Sequence, residues 1–412
     1  MKKITPIFWS NLAVFLICSS SMLVPRSNYA GAVILLVNAA VCFKLLWPPQ
    51  QLPKDVKYFF ISLCLLALSW SIDGFLSGRG MASIEKPLKI VLVIPCFYYL
   101  MSNPPKIEWL WRGCIVGCVG AAMLASYHVF FVGLPRAGEG YINENFFGGI
   151  SLLLALLCAC AWFDPEWKKK NKRLLLSLGF ACGLFASILS ASRGSWLAFF
   201  IILIIFGTMQ ICQKKSRITL LISCLVMAAA LLVWSVPQFR VQKRVQLAYN
   251  EVHAFYKNDT INTSVGARLA MWRLGYQLYK EKPVFGWTQK GVKGELEKWI
   301  EREQPDPVSR WKTVVHLHSD IIDTAAKRGI VGLIILLSCH VTCFMFFFNR
   351  FRLQKYGNVA SLAMAGMLLP VSFFCFGLTE TFMTASNTIV MYFYLAAILM
   401  ASILNKTKVK KI

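Results

Sequence analysis

Charge is scarce in this chain. Charged residues make up 15% of it, and the 19 Asp and Glu are far outnumbered by 44 Lys and Arg. Apolar residues reach 57% of 412. Charged side chains normally cover the exterior of a water-soluble protein, so this balance excludes a soluble globular domain and makes a bilayer the solvent that hides the apolar surface. Three signatures are missing as well. There is no D-x-D, the usual metal–diphosphate handle of nucleotide-sugar glycosyltransferases. No G-x-x-x-x-G-K-[ST] occurs, which excludes a P-loop ATPase, and no G-x-S-x-G elbow marks a hydrolase. A transferase built from what remains draws on an already activated donor, and arginine charge takes the part of a metal on a departing diphosphate.

Cysteine is present fourteen times, but none falls in the long polar segment 236–328. All lie in or beside apolar runs, where cysteine behaves as a small hydrophobe. Cys158 and Cys160 are too close for a zinc knuckle and have no second pair, so the sequence holds no metal site and no disulfide framework.

What is abundant is the apolar run. Twelve candidate spans lie at about 7–24, 29–47, 58–77, 88–102, 111–133, 146–163, 174–191, 195–212, 218–235, 329–349, 358–378 and 386–404. Each approaches the ~20 residues needed to cross a ~30 Å hydrocarbon core. The first run lacks an A-x-A cleavage site and is read as a retained helix rather than a signal peptide. With the N-terminus cytoplasmic, the inner segments carry 21 Lys and Arg and the short outer loops six. That asymmetry places both termini in the cytoplasm and the 236–328 loop outside it. The net charge of +25 therefore reflects topology, not nucleic-acid binding. The expected organisation is nine spans over 1–235, a large extracytoplasmic loop over 236–328, and three spans with a cytoplasmic tail over 329–412. The loop carries 16 basic against 10 acidic residues, which suits an anionic partner such as a phosphate-bearing lipid or glycan.

Three features carry chemistry, and topology puts all of them at the outer face. Arg193, in Ser192-Arg193-Gly194-Ser195, sits where one apolar run ends and the next begins. It serves either as an anion clamp, since guanidinium matches phosphate bidentately, or as a snorkelling loop arginine. The second feature is Ser264 to Trp272. Ser264 reads as an N-cap and Pro283 stops the helix by about Lys282, so Arg268, Trp272, Tyr276 and Tyr279 share one helical face. That face either holds a phosphate beside a sugar ring or packs an amphipathic helix on the membrane. The third is His316-Leu317-His318-Ser319-Asp320. Ser319 or His318 can cap the helix that follows. The positive end of that helix disfavours imidazolium, which leaves a neutral imidazole to take a proton from a sugar hydroxyl. Metal ligation through His316, His318 and Asp320 is a weaker third reading. Asp73, Arg136 and Glu380 also fall near outer helix ends, without a motif to assign them.

These stretches resemble a family. From His318 the sequence reads H-S, nine residues, then G-x-x-G at Gly329-Ile330-Val331-Gly332, similar to the H-[NSQ]-x9-G-x-x-G signature of bacterial O-antigen ligases. S-V-G-A-R-L-A-M-W resembles that family's G-A-R-L-A stretch, and S-R-G-S-W its arginine turn. The resemblance implies an all-α, polytopic, GT-C-like glycosyltransferase of about 12 transmembrane helices with a large periplasmic helical loop. It implies O-antigen on undecaprenyl diphosphate as donor, lipid A–core as acceptor, membrane lipids around it, no nucleic-acid partner, no cofactor, and reaction at the periplasmic face of the cell inner membrane without metal or ATP. Carried over by motif, His318 is the catalytic base and Arg193 and Arg268 bind the donor diphosphate; His316, which lies outside the signature, is a candidate supporting residue together with Trp272 and Asp320. An O-antigen polymerase shares the architecture and is the nearest alternative. A secondary transporter is disfavoured, because the span centres are nearly free of charge and no internal repeat is visible.

Overall fold

The computed structural model describes residues 5–23, 29–42, 51–211, 241–258, 261–303, 316–354 and 357–409. Among them all regular structure is helical. In chain order the α-helices are α1 (Pro6–Ser19), α2 (Tyr29–Val41), α3 (Lys54–Leu76), α4 (Glu85–Val91), α5 (Val93–Ser102), α6 (Ile107–Ser126), α7 (Glu144–Ala161), α8 (Lys170–Leu189), α9 (Arg193–Ile211), α10 (Val241–Asn258), α11 (Ser264–Glu281), α12 (Thr288–Glu303), α13 (Asp320–Leu353), α14 (Asn358–Gly377) and α15 (Ser386–Val409).

Among the described residues seven helical segments are long and apolar enough to cross a bilayer: α3, α6 with its π-helical extension to Phe131, α7, α8, α13, α14 and α15. The expectation of twelve spans is met this far and no further. α1, α2 and the apolar stretch Arg193–Ile204 of α9 are shorter than a span. The fourth run is divided at Leu92 into α4 and α5. The run at 218–235 lies outside the described residues. Past α1 the apolar run continues through a turn at 20–23, so the length of that run overstates the length of its helix.

α14 and α15 are buried along nearly their whole length and, with α7, form the spine of the bundle. This explains their composition. A helix apolar all round is one buried all round. Polar contacts divide the bundle into two ends. At one end Arg350 of α13 pairs with Asp55 of α3, and Lys406 of α15 and Asn358 of α14 both reach Glu166. At the other end lie the termini that carry Asp73, Arg136, Arg193, His318 and Glu380.

α10, α11 and α12 are polar helices with a small core of their own. Met271, Leu274 and Leu278 of α11 pack against Val292, Leu296 and Ile300 of α12, and Leu317 and Ala326 close the cluster from the α13 side. The loop is thus tied to the membrane helices by shared apolar burial. Polar docking adds to it: the N–H of Gln289 donates to Asp73 Oδ1 (2.7 Å) and that of Lys290 to Ser77 Oγ (3.0 Å), so the end of α3 satisfies the free amides at the start of α12.

The G-x-x-G element acquires a physical meaning here. α13 runs 34 residues, too long at ~1.5 Å per residue for one straight crossing, and it breaks at Gly329, whose φ is 61° and ψ −160°. The α11–α12 turn enters the break. Trp287 N–H donates to Ala326 carbonyl (2.9 Å), Ile330 N–H to Pro283 carbonyl (2.7 Å) and Val331 N–H to Val284 carbonyl (3.3 Å). These bonds satisfy the Ala326 carbonyl and the Ile330 and Val331 amides that the break frees, as buried backbone requires. A Cβ at Gly329 would lie 2.3 Å from the Val284 carbonyl oxygen, and one at Gly286 2.4 Å from the Lys327 carbonyl carbon. Gly329→Ala must therefore push the turn out while holding a left-handed conformation. A loss of about 1–3 kcal/mol is expected, read as a lower melting midpoint in detergent. A variant as stable as the parent would show that the turn is not clamped.

Candidate active site

α11 starts one residue earlier than its apolar pattern indicates. Thr263, not Ser264, is the N-cap, with its hydroxyl accepting from Gly266 N–H at 3.0 Å. A carboxylate from α10 takes the next amide: Glu251 Oε2 accepts from Val265 N–H (3.2 Å), and the same oxygen faces Arg193 Nη1 at 3.3 Å. Glu251 is buried, and it joins Arg193 at the start of α9 to the start of α11. Arg268 lies one turn into α11. Its Nη2 is 3.9 Å from Glu380 Oε2, while His318 Nδ1 is 2.8 Å from Glu380 Oε1. Thr379, the neighbour of Glu380, packs on α9: a Cβ on Gly194 would meet the Thr379 hydroxyl at 2.1 Å. Arg193, Arg268 and His318, which come from three separate stretches of sequence, are thereby gathered around the 379–380 turn and two buried carboxylates.

Glu380 is the hub. Besides His318 and Arg268, it accepts from Asn145 Nδ2 (2.7 Å) and from Thr381 N–H (3.1 Å). Asn145 is held in turn by Arg136, which also binds Glu144 and the Ser190 carbonyl. Burial works to raise the Glu380 carboxyl, but the hydrogen bond and charge of His318, then Arg268 and Thr381 N–H, outweigh it and hold the group at about 2. An ionised carboxylate accepts only, so the His318–Glu380 contact requires a proton on Nδ1 and leaves Nε2 as the ring nitrogen that Glu380 does not hold. His318 itself holds a left-handed backbone (φ 49°), a strained conformation for a residue with a Cβ and of the kind found at functional sites.

His318 and His316 line a cavity of about 540 Å³ together with Lys86, Asn143, Glu380 and Tyr29. His316 is engaged away from His318: its Nδ1 lies 3.2 Å from Lys327 Nζ, which also pairs with buried Asp323 at 2.8 Å. Burial, and then the Lys327 charge, bring the His316 imidazole down to about 4, so it is neutral at pH 7. The expected capping roles at this helix are taken differently. Ser319 occupies the cap position, but its hydroxyl donates to the Gly377 carbonyl (3.3 Å). Asp323 Oδ1 instead accepts from Leu317 N–H (3.0 Å). Asp320 is buried below the site, both oxygens 3.1 Å from Met383 N, where it braces the turn that follows Glu380. His316, His318 and Asp320 are thus each held to a different partner, and among the described residues no three His, Cys, Asp or Glu side chains converge on a metal-sized position. Trp272 is half-buried one turn from Arg268. It does not line the cavity, and its indole nitrogen has no hydrogen-bond partner. Tyr276, on the same face, is exposed.

Two carboxylates carry this arrangement and no motif marks either. Glu380 stands 62 residues from His318, and Glu251 58 residues from Arg193. Their only signal in the sequence is rarity, in a chain with 19 acidic residues.

The fold and the site together define a multi-pass helical membrane protein with two arginines, an imidazole and two buried carboxylates collected at one end of its bundle. A family profile described as O-antigen ligase matches residues 178–337, a stretch that holds Arg193, Arg268, His318 and the Gly329 break. Over that stretch the chain is similar to the O-antigen ligase family. It is 26% identical over 189 residues to an O-antigen ligase of Escherichia coli, covering 45% of this chain and 43% of that one. It is 23% identical over 397 residues to an uncharacterized protein of Haemophilus influenzae, covering 94% and 96% of the two chains.

Proposed function

We propose that this protein is an O-antigen ligase of the cell inner membrane. It moves polysaccharide from undecaprenyl diphosphate to an outer-core sugar of lipid A–core at the periplasmic face, with both termini cytoplasmic, the 236–328 loop periplasmic, and about twelve GT-C-like helices in all. The observation that carries the reading is the His318–Glu380–Arg268 cluster beside the 540 Å³ cavity. In this reading His318 Nε2 takes the proton of the acceptor hydroxyl. The oxygen attacks the anomeric carbon, and the bond from that carbon to the diphosphate breaks. The electron pair leaves on undecaprenyl diphosphate, whose charge Arg193 and Arg268 neutralise. Glu380 orients the imidazole and stabilises its charged form. Its oxygens are already occupied by His318, Asn145, Thr381 and Arg268, which argues against a carboxylate nucleophile and for a single displacement that inverts the anomeric centre.

The test is transfer by the purified protein from undecaprenyl-diphosphate glycan to lipid A–core, with and without chelator. Glycan attached to lipid A–core with inverted configuration is the expected product in both conditions. Glycan joined instead to a second lipid-linked repeat would make the protein a polymerase, and a glycan trapped covalently on the protein would overturn the single displacement.

A further inference from the structure

The carboxylates around the cavity are all committed. Glu85 pairs with Lys89 at 2.6 Å, Asp73 accepts from Gln289 N–H and faces Arg328 at 3.4 Å, Asp323 pairs with Lys327 at 2.8 Å, and Glu380 holds His318. Arg79 is bound to the Gln289 amide oxygen at 3.0 Å. His316, neutral, faces Lys327. Among the described residues around this cavity, one cation is left over. Lys86, the second residue of α4, is half-buried and has no ion-pair or hydrogen-bond partner among the described residues. It lines the 540 Å³ cavity beside His318 and also a smaller adjoining cavity of about 50 Å³. An uncompensated ammonium in such a place is costly, and an anion entering the cavity repays that cost. Burial, then the charges of Arg79 and Lys327, outweigh the neighbouring Glu85 carboxylate and pull the Lys86 ammonium down to about 8.

The position of Lys86 separates it from the donor arginines. Arg193 and Arg268 do not line this cavity; Arg268 reaches Glu380, and Arg193 is tied to Glu251. On the ligase reading, this cavity is the side on which His318 meets the acceptor. We propose that Lys86 is an acceptor-binding residue: it receives a phosphate or carboxylate carried by the acceptor saccharide, and so places the neighbouring hydroxyl at His318. This rests on the ligase reading.

The experiment measures acceptor and donor KM separately with purified protein. Lys86→Ala is expected to raise the acceptor KM roughly ten- to hundredfold, the size of a lost charge-assisted contact, and to leave the donor KM in place. Lys86→Arg restores the acceptor KM. In the parent, kcat/KM for the acceptor falls as pH rises through about 8, where Lys86 loses its charge, and Lys86→Arg removes that fall. Lipid A–core stripped of phosphate, or with its carboxyls amidated, identifies the anion: the modification that matters weakens binding to the parent and leaves Lys86→Ala unmoved. A raised donor KM, an unchanged acceptor KM in Lys86→Ala, or a parent indifferent to both modifications overturns the assignment. If the parent joins no glycan to lipid A–core, the ligase reading itself falls; if it does so and Lys86→Ala keeps the parental acceptor KM, only the Lys86 role falls.

Discussion

His318→Ala lowers glycan transfer by roughly 10²–10⁴-fold, the range of a positioned general base, with the protein still present in the membrane at its normal level. The imidazole is half-exposed to the cavity and contributes little packing, so its removal costs chemistry more than fold. The strained backbone at φ 49° makes the same point from another side. A residue held in the left-handed region is there because the surrounding structure requires the direction its side chain takes, and alanine carries the same backbone strain without the imidazole. The expected signature is a loss in kcat with donor and acceptor KM little changed, because the lost interaction is made in the transition state. The assay is single-turnover transfer with both substrates saturating. Transfer within a fewfold of the parent would remove His318 from the chemistry and leave it a structural residue of the α13 start.

The second large effect is at Glu380. Glu380→Gln keeps the shape of the side chain and removes its charge. The amide no longer demands a proton on Nδ1, and when its NH₂ faces the imidazole the proton moves to Nε2, where it blocks the base. Loss of an orienting carboxylate is expected to cost about 10²–10⁴ in kcat, as it does wherever a carboxylate fixes a catalytic histidine's tautomer. Glu380→Ala does more. It also leaves the guanidinium of Arg268 without its partner and Asn145 without its acceptor, so donor KM and melting midpoint change along with kcat. The difference between the two variants separates tautomer control from site assembly. The sign of the pH dependence is fixed by the carboxyl. Glu380 sits at about 2 in the folded protein against an ordinary value of 4.5. Its stabilising contribution is complete above 4.5 and is lost as pH falls toward 2. The parental rate profile above 4.5 therefore carries no limb from Glu380, and an acid limb there that vanishes in Glu380→Gln would contradict this account.

The legible part of the site was the part written in local motifs. Arg193 stands at the meeting of two apolar runs, Arg268 on a capped helical repeat, and His318 in a pair of rare histidines before an amphipathic start. Each is recognisable because its neighbours a few residues away define a turn or a helix face. Glu251 and Glu380 have no such neighbours. A lone glutamate near an apolar segment reads the same whether it is solvated or is the hub of a cluster. The cap of α11 was misplaced by one residue for a related reason: Thr263 and Ser264 are both good caps, and only backbone dihedrals choose between them.

Hydrophobicity is a property of each residue, and it sums along the chain without reference to what lies beside it. For that reason the apolar runs were enough to indicate a multi-pass helical membrane protein, and the asymmetry of Lys and Arg sets the orientation to be expected of it. Helix length and contact between distant residues are not sums of this kind. They depend on where the backbone turns and on which ends meet. Only the folded chain ends α1 at Ser19, breaks α13 at Gly329 to admit the α11–α12 turn, and brings Glu380 within 2.8 Å of His318. That contact orients an imidazole that the motif alone leaves free to turn.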